Sequence, residues 1–159
     1  MTTDKDKAYL QEAVKLATQG VDDGKGGPFG CIVVKEGRVI GRGCNSVTSS
    51  NDPTAHAEVN AIRKAAKKLG TFDLVGCDIY TSCEPCPMCL GAVYWAHLDK
   101  MFYGNTKTDA KNIGFDDSFI YDEIDLRPEN RRVKTTQLLP EEAIIAFQTW
   151  TLAVDKVEY

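Results

Sequence analysis

The stretch Thr81-Ser82-Cys83-Glu84-Pro85-Cys86-Pro87-Met88-Cys89 decides how the rest of the chain is read. It follows the strand-like run Asp78-Ile79-Tyr80 and precedes a helix-forming run that reaches about Ala96, so it is a strand end, a tight turn and a first helical turn. Pro87 suits that first turn, where its missing N–H costs nothing. Cys86 and Cys89 stand three apart and share one helix face. A helix N-terminus lowers thiolate pKa through its dipole and its open N–H groups, which makes both sulfurs good metal ligands.

Upstream lies a partner stretch, Thr54-Ala55-His56-Ala57-Glu58. One imidazole added to two thiolates gives a zinc ion three protein ligands and leaves its fourth position to water. His56, Cys86 and Cys89 are therefore the candidate ligands. Glu58, two residues past His56, is placed to move protons rather than to bind metal. A closed structural site with Cys83 as fourth ligand is the competing reading, but it leaves Glu58 without a role and draws on a sulfur at the strand end. Cys31, Cys44 and Cys77 sit in apolar or strand-like surroundings and read as small buried hydrophobes.

With 159 residues, 43% hydrophobic and 26% charged, the chain fits one domain, 1–159, with a proper core. The formal charge of -4 offers no basic field for a polyanion, and the single cluster Lys64, Lys67 and Lys68 reads as a solvated helix face. No nucleic-acid partner is expected. No apolar run approaches the ~20 residues of a membrane span, and Met1 to Lys7 is polar with no apolar block behind it. Free thiols beside a metal motif fit a reducing compartment, so a cytoplasmic protein without a membrane partner is expected.

In chain order, apolar spacing predicts a first helix over Asp4 to Gly20 and a loop over Asp22 to Gly27. Strands follow at Cys31 to Val34 and Arg38 to Asn45, joined at Glu36-Gly37. A polar loop spans Thr48 to Asp52. The second helix runs from about Ala55 to Leu69, and its small residues Ala57, Ala61 and Ala65 suggest close seating on a sheet. A third strand is expected over Asp78 to Ser82, a third helix from Pro87 to Ala96 and a fourth strand over Lys100 to Gly104. Residues 105–127 read mostly as loop, with a short helix over Ser118 to Glu123. A closing helix runs from Pro140 to about Lys156. The fold class is α/β, a three-layer α-β-α sandwich around a mixed sheet, expected to have five strands.

Three runs carry a resemblance: Gly26-Gly27-Pro28-Phe29-Gly30, Asn51-Asp52-Pro53-Thr54-Ala55-His56-Ala57-Glu58, and the cysteine stretch with its P-C-x-x-C core. The chain resembles the cytidine deaminase superfamily. The downstream run Gly114-Phe115-Asp116-Asp117-Ser118-Phe119-Ile120-Tyr121 and the terminal tyrosine make it similar, within that superfamily, to the bacterial guanine deaminases over nearly its full length. The resemblance implies one Zn2+ on His56, Cys86 and Cys89, with Glu58 as proton shuttle. It places Asn45 and Asp117 on the purine edge, Phe29 and Trp95 near the ring, and Tyr159 closing the pocket. Separately, free N–H groups at the helix starts, near Ala57 and Cys86, are placed to hold the substrate or a developing oxyanion.

The implied activity is hydrolysis of guanine to xanthine and ammonia by a homodimer in which about 140–159 is exchanged between protomers. Guanosine or another aminated heterocycle is the alternative substrate, and tRNA adenosine a more remote one. On local grounds alone Asn45 is first a turn former at a strand end, Asp116 and Asp117 are loop acids, and Trp95 is a core residue.

Overall fold

The computed structural model describes residues 2–159. In chain order the elements are α1 (Asp4–Asp22), β1 (Gly30–Lys35), β2 (Arg38–Cys44), α2 (Val47–Ser50), α3 (Ala57–Leu69), β3 (Cys77–Cys83) and α4 (Pro87–Trp95). After these come β4 (Lys100–Asn105), α5 (Lys107–Asn112), α6 (Ser118–Asp125), a short 3-10 turn (Pro128–Asn130) and α7 (Pro140–Leu152). Chain contacts divide the molecule into a unit ending at Asp117 and a second unit, Ser118–Tyr159.

In the first unit, β1 and β2 pair antiparallel with Lys35 opposite Arg38. The two residues between them, Glu36 and Gly37, both take positive φ, at 48° and 74°. That turn matches the right-handed twist of the flanking strands. The sheet order is β2-β1-β3-β4, with β1 antiparallel to β3 and β3 parallel to β4. The sheet is mixed, as expected, but has four strands among the described residues rather than five. After β4 the chain enters a helix instead of another strand: the Thr106 hydroxyl accepts from Asp109 N at 3.3 Å while Asp109 Oδ2 accepts from Thr106 N at 2.8 Å. This reciprocal cap satisfies two helix-start donors and commits the segment to α5.

Alternation along the strands sorts the core onto two faces. Ile32, Val34 and Tyr80 face Tyr9, Leu10 and Leu16 of α1. Cys31, Val33 and Ile79 face Ala57, Ala61 and Ala65 of α3 and Val93 of α4. Helices on both faces make the three layers. The α3 seat is unusually close, because Gly41 and Gly43 of β2 leave room for its backbone. A Cβ on Gly43 would collide with the Ala57 carbonyl oxygen, and one on Gly41 with that of Ala61. The alanine ladder and the two glycines are thus complementary halves of one contact, and they fix the start of α3 beside the strand ends.

Two helices stand where loops were expected. Asn51, in the left-handed region, closes the four-residue α2, whereas α5 announces itself only through its capping box. In the second unit α7 ends at Leu152, before the expected Lys156, where Ala153 turns extended. Arg131 ties that unit's turns together, its Nε donating to Glu123 O at 3.1 Å and Leu126 O at 3.2 Å. No helix among the described residues is long and apolar enough to cross a membrane.

Candidate metal centre and base pocket

Two helix starts place the donors. His56 is the N-cap of α3 and Cys86 the N-cap of α4, both with extended backbone, while Cys89 lies one turn into α4 and is fully buried. His56 Nδ1 is 3.6 Å from Cys86 Sγ and 3.5 Å from Cys89 Sγ, and the three donor atoms all lie within 4.8 Å of one another. Zinc bonded at ordinary Zn–S and Zn–N lengths spaces tetrahedral donors roughly 3.5–3.8 Å apart. The donor set fits zinc, and it is a three-ligand set. Cys83 stands outside it, its thiol directed at Thr106 O at 3.6 Å. The closed four-ligand alternative loses its fourth ligand.

Charge at these sulfurs is uneven. Hydrogen bonding from Cys89, aided by His56, holds the Cys86 thiol down at about 4 against the effect of burial. The same contact, together with burial and the Glu58 charge, pushes Cys89 up. The Cys86 hydrogen bond raises the His56 imidazole, partly offset by burial. Cys89 would give up its proton on holding a divalent cation, since only the thiolate ligates.

Glu58 is 5% exposed. Its Oε1 accepts the Thr81 hydroxyl at 3.1 Å, and its Oε2 lies 3.4 Å from Cys89 Sγ. Burial lifts the carboxyl above its ordinary range, while those hydrogen bonds act in the opposite sense. A carboxyl raised in this way beside a metal donor set suits proton transfer near neutral pH.

His56, Glu58 and Cys86 open onto a cavity of about 430 Å³ that is also lined by Phe29, Asn45, Phe115 and Asp117. Asn45 is 5% exposed, and its Oδ1 accepts from Gly27 N at 3.3 Å and Val47 N at 3.2 Å. With the carbonyl oxygen so engaged, the amide Nδ2 is the end left for a ligand, which makes Asn45 a donor. Burial raises the Asp117 carboxyl, and the Cys86 charge adds to the effect. Phe29 and Phe115 meet edge to face, with ring centroids 4.9 Å apart at 89°.

The match to known families bears directly on this arrangement. Residues 3–105 match the family model described as the cytidine and deoxycytidylate deaminase zinc-binding region. The chain belongs to this deaminase family. It is 54% identical to the guanine deaminase of Bacillus subtilis over 96% of this chain and 98% of that one. The X-ray structure of the Bacillus subtilis protein superposes with a TM-score of 0.94. The tRNA-specific adenosine deaminase of Aquifex aeolicus is 39% identical over 85% of this chain and 86% of its own. A solved relative in complex with 8-azaguanine is 34% identical, with a TM-score of 0.68, and the match covers 79% of this chain and 68% of that one.

Of the residues expected at this deaminase's site, His56, Glu58, Cys86, Asn45, Asp117 and Phe29 all line the cavity, with Cys89 buried behind the other two donors. Ala57 opens α3, so the backbone N–H expected to serve the substrate lies at the helix start, while its side chain is in the core. Trp95 does not reach the cavity. It ends α4, 66% exposed, nine residues past Cys86, and at 1.5 Å rise per residue that is roughly 13 Å down the helix from the donors. Tyr159 belongs to the second unit and is exposed there. No site role was expected for Thr81, Phe115 or Asn60, although Thr81 and Phe115 lie within the runs singled out in the sequence. Each acts through a partner distant in sequence.

Proposed function

We propose that this chain hydrolyses guanine to xanthine and ammonia, with one Zn2+ held by His56, Cys86 and Cys89. The observation that carries the proposal is Glu58, a buried carboxyl that lines a cavity of small-molecule size and lies 3.4 Å from a sulfur of the donor set. The 54% identity to the Bacillus subtilis guanine deaminase over nearly the whole of both chains supports the choice of base.

Zinc, when bound, supplies the Lewis acidity that brings the pKa of a water towards about 7. Glu58 takes one proton from that water and delivers it to the ring nitrogen beside C2 as the C2–O bond forms. The same carboxyl then carries the second proton of the water to the exocyclic amine. The C2–N bond breaks and ammonia leaves. Thr81, holding Oε1, leaves Oε2 as the oxygen that carries the proton. Asp117 accepts from a ring N–H of guanine, a donor that adenine lacks on that edge, and Asn45 donates through Nδ2 to a ring acceptor. Phe29 and Phe115 provide the apolar contact for the ring.

The test is ammonia release from guanine, guanosine, adenine, adenosine, cytidine and a tRNA anticodon stem, with metal content measured on the same preparation. The proposal expects turnover of guanine with about one zinc per chain. Zinc present with all six substrates inert would remove it. The same reading takes the protein to be a cytoplasmic homodimer with 140–159 exchanged between protomers. Exposure of Ile144, Phe147 and Trp150 along α7 supports it, and sedimentation of the intact protein tests it.

A further inference from the structure

Asn60 stands on α3 one turn past His56, and its backbone N–H donates to His56 O at 3.0 Å. It ligates nothing in the cavity and does not line it. Its side-chain Nδ2, however, reaches Cys44 O at 2.9 Å, Ser46 Oγ at 3.2 Å and Ala55 O at 3.3 Å. Cys44 and Ser46 flank Asn45 on either side, and Ala55 precedes His56. A single half-buried amide therefore grips the backbone before the base-binding residue, the Ser46 hydroxyl after it, and the backbone of the residue before the first metal donor. Two of its three acceptors are carbonyl oxygens, which can only accept, so the NH2 end must face them. The same two segments meet once more where Ser46 N donates to Ala55 O at 3.0 Å.

We propose that Asn60 is a positioning residue that locks the Asn45 turn against the His56 end of the donor set, so that base recognition and metal retention depend on one amide. The proposal rests on the deaminase reading above for its substrate arm, and on the donor set alone for its metal arm. Without the amide, the turn carrying Asn45 keeps two backbone ties, Asn45 N to Phe29 O at 2.9 Å and Ser46 N to Ala55 O at 3.0 Å, but loses its side-chain link to α3. Asn45 Nδ2 then samples positions away from the base edge, which weakens binding. His56 samples positions away from the two sulfurs, which speeds metal loss. Proton transfer by Glu58 is untouched, because Thr81 holds that carboxyl from β3. A merely structural residue on α3 would lower stability and leave both readouts alone.

The experiment uses zinc-loaded full-length protein and three variants. Asn60→Ala removes the grip, and Asn60→Asp keeps its shape while setting a carboxylate oxygen against two carbonyl oxygens. Leu69→Ala weakens the core at the far end of α3, where Leu69 packs on the sheet. Readouts are the rate of zinc transfer to a chromogenic chelator, and KM and kcat for guanine per bound zinc. Outer partners of metal ligands typically account for ~10–100-fold in metal affinity. Zinc release from Asn60→Ala and Asn60→Asp should rise ~10-fold or more, and KM should rise by a comparable factor with kcat per zinc nearly constant. Leu69→Ala should lose thermal stability with neither change. If Asn60→Ala fails to fold, Ser46→Ala, which removes one acceptor of the three, should move both readouts in the same direction by a smaller factor. Zinc release and KM matching those of Leu69→Ala at equal loss of stability would overturn the proposal. If wild-type protein does not turn over guanine, the deaminase reading fails, and the zinc-release comparison still decides the role of Asn60.

Discussion

The Thr81 hydroxyl donates to Glu58 Oε1 at 3.1 Å from a strand position that is wholly buried. The proton-moving carboxyl is thus aimed from the sheet, not from its own helix. Thr81→Val keeps the shape and deletes the donor. A hydrogen bond to a charged group is worth ~1.5–3 kcal/mol, so kcat should fall ~10-fold or more with KM little changed, and Thr81→Ser should recover most of the loss. An unaltered kcat in Thr81→Val would show that Glu58 needs no support from β3.

Glu58→Ala should leave the fold and the zinc content intact, since Glu58 is not one of the three donors. Activity should fall at least ~100-fold, the ordinary weight of a general acid–base group. Metal analysis and steady-state rates on one preparation check both halves. Activity within a few-fold of wild type would remove Glu58 from its role.

Asp117 and Asp116 are adjacent in sequence but differ in surroundings. Asp116 pairs with Lys111 at 3.0 Å on an exposed surface, whereas the Asp117 carboxyl is the more buried of the two and is raised by that burial. Asp117→Asn should therefore cost far more guanine kcat/KM than Asp116→Asn. Equal, mild effects would exclude Asp117 from base recognition.

Gly43→Ala tests the seat of α3. The added methyl would meet the Ala57 carbonyl, which is helix backbone and cannot swing aside. Overpacking costs ~1–3 kcal/mol even where side chains adjust, so the unfolding free energy from urea titration should drop by at least about that much. His56 caps this same helix, so zinc should also be held less tightly. A fully stable Gly43→Ala would mean that α3 shifts without penalty.

How much of this was legible in the chain differs by the range of the interaction involved. His56, Glu58, Cys86 and Cys89 could be read because helix-start chemistry and i, i+3 spacing are local. The Glu36-Gly37 turn was legible for the same reason, and the alanine ladder of α3 already implied its close seat. The glycines that receive the ladder lie on β2, and their part appears only once the sheet brings the strands together. Thr81 and Asn60 act across 23 and up to 16 residues of chain, through contacts that no spacing rule encodes. Trp95 was placed near the ring by resemblance; in this chain it stands exposed at the end of α4 and is not among the cavity's lining residues. The expected fifth strand had no segment assigned to it, and at Thr106, where a loop was expected, a capping box too short to suggest a helix on its own starts α5.

Tyr80 Oη donates to Asp6 Oδ1 at 2.6 Å, and Thr3 N donates to Asp6 Oδ2 at 2.6 Å, so one carboxylate joins the start of α1 to β3. The Tyr80 hydrogen bond, followed by those from Thr3, holds the Asp6 carboxyl down at about 2. A carboxyl whose folded pKa lies below its unfolded value of ~3.9 contributes stability that is complete above that value and is lost as pH falls towards the folded one. Tyr80→Phe removes the leading cause and returns Asp6 towards the ordinary range. The difference in unfolding free energy between wild type and Tyr80→Phe should therefore be constant above about pH 5 and shrink between roughly pH 4 and 2. Loss of zinc in acid affects both proteins alike and cancels in the difference. Urea titrations at stepped pH check this, and a gap that stays constant down to pH 2 would mean that the Tyr80 hydroxyl does not control the ionisation of Asp6.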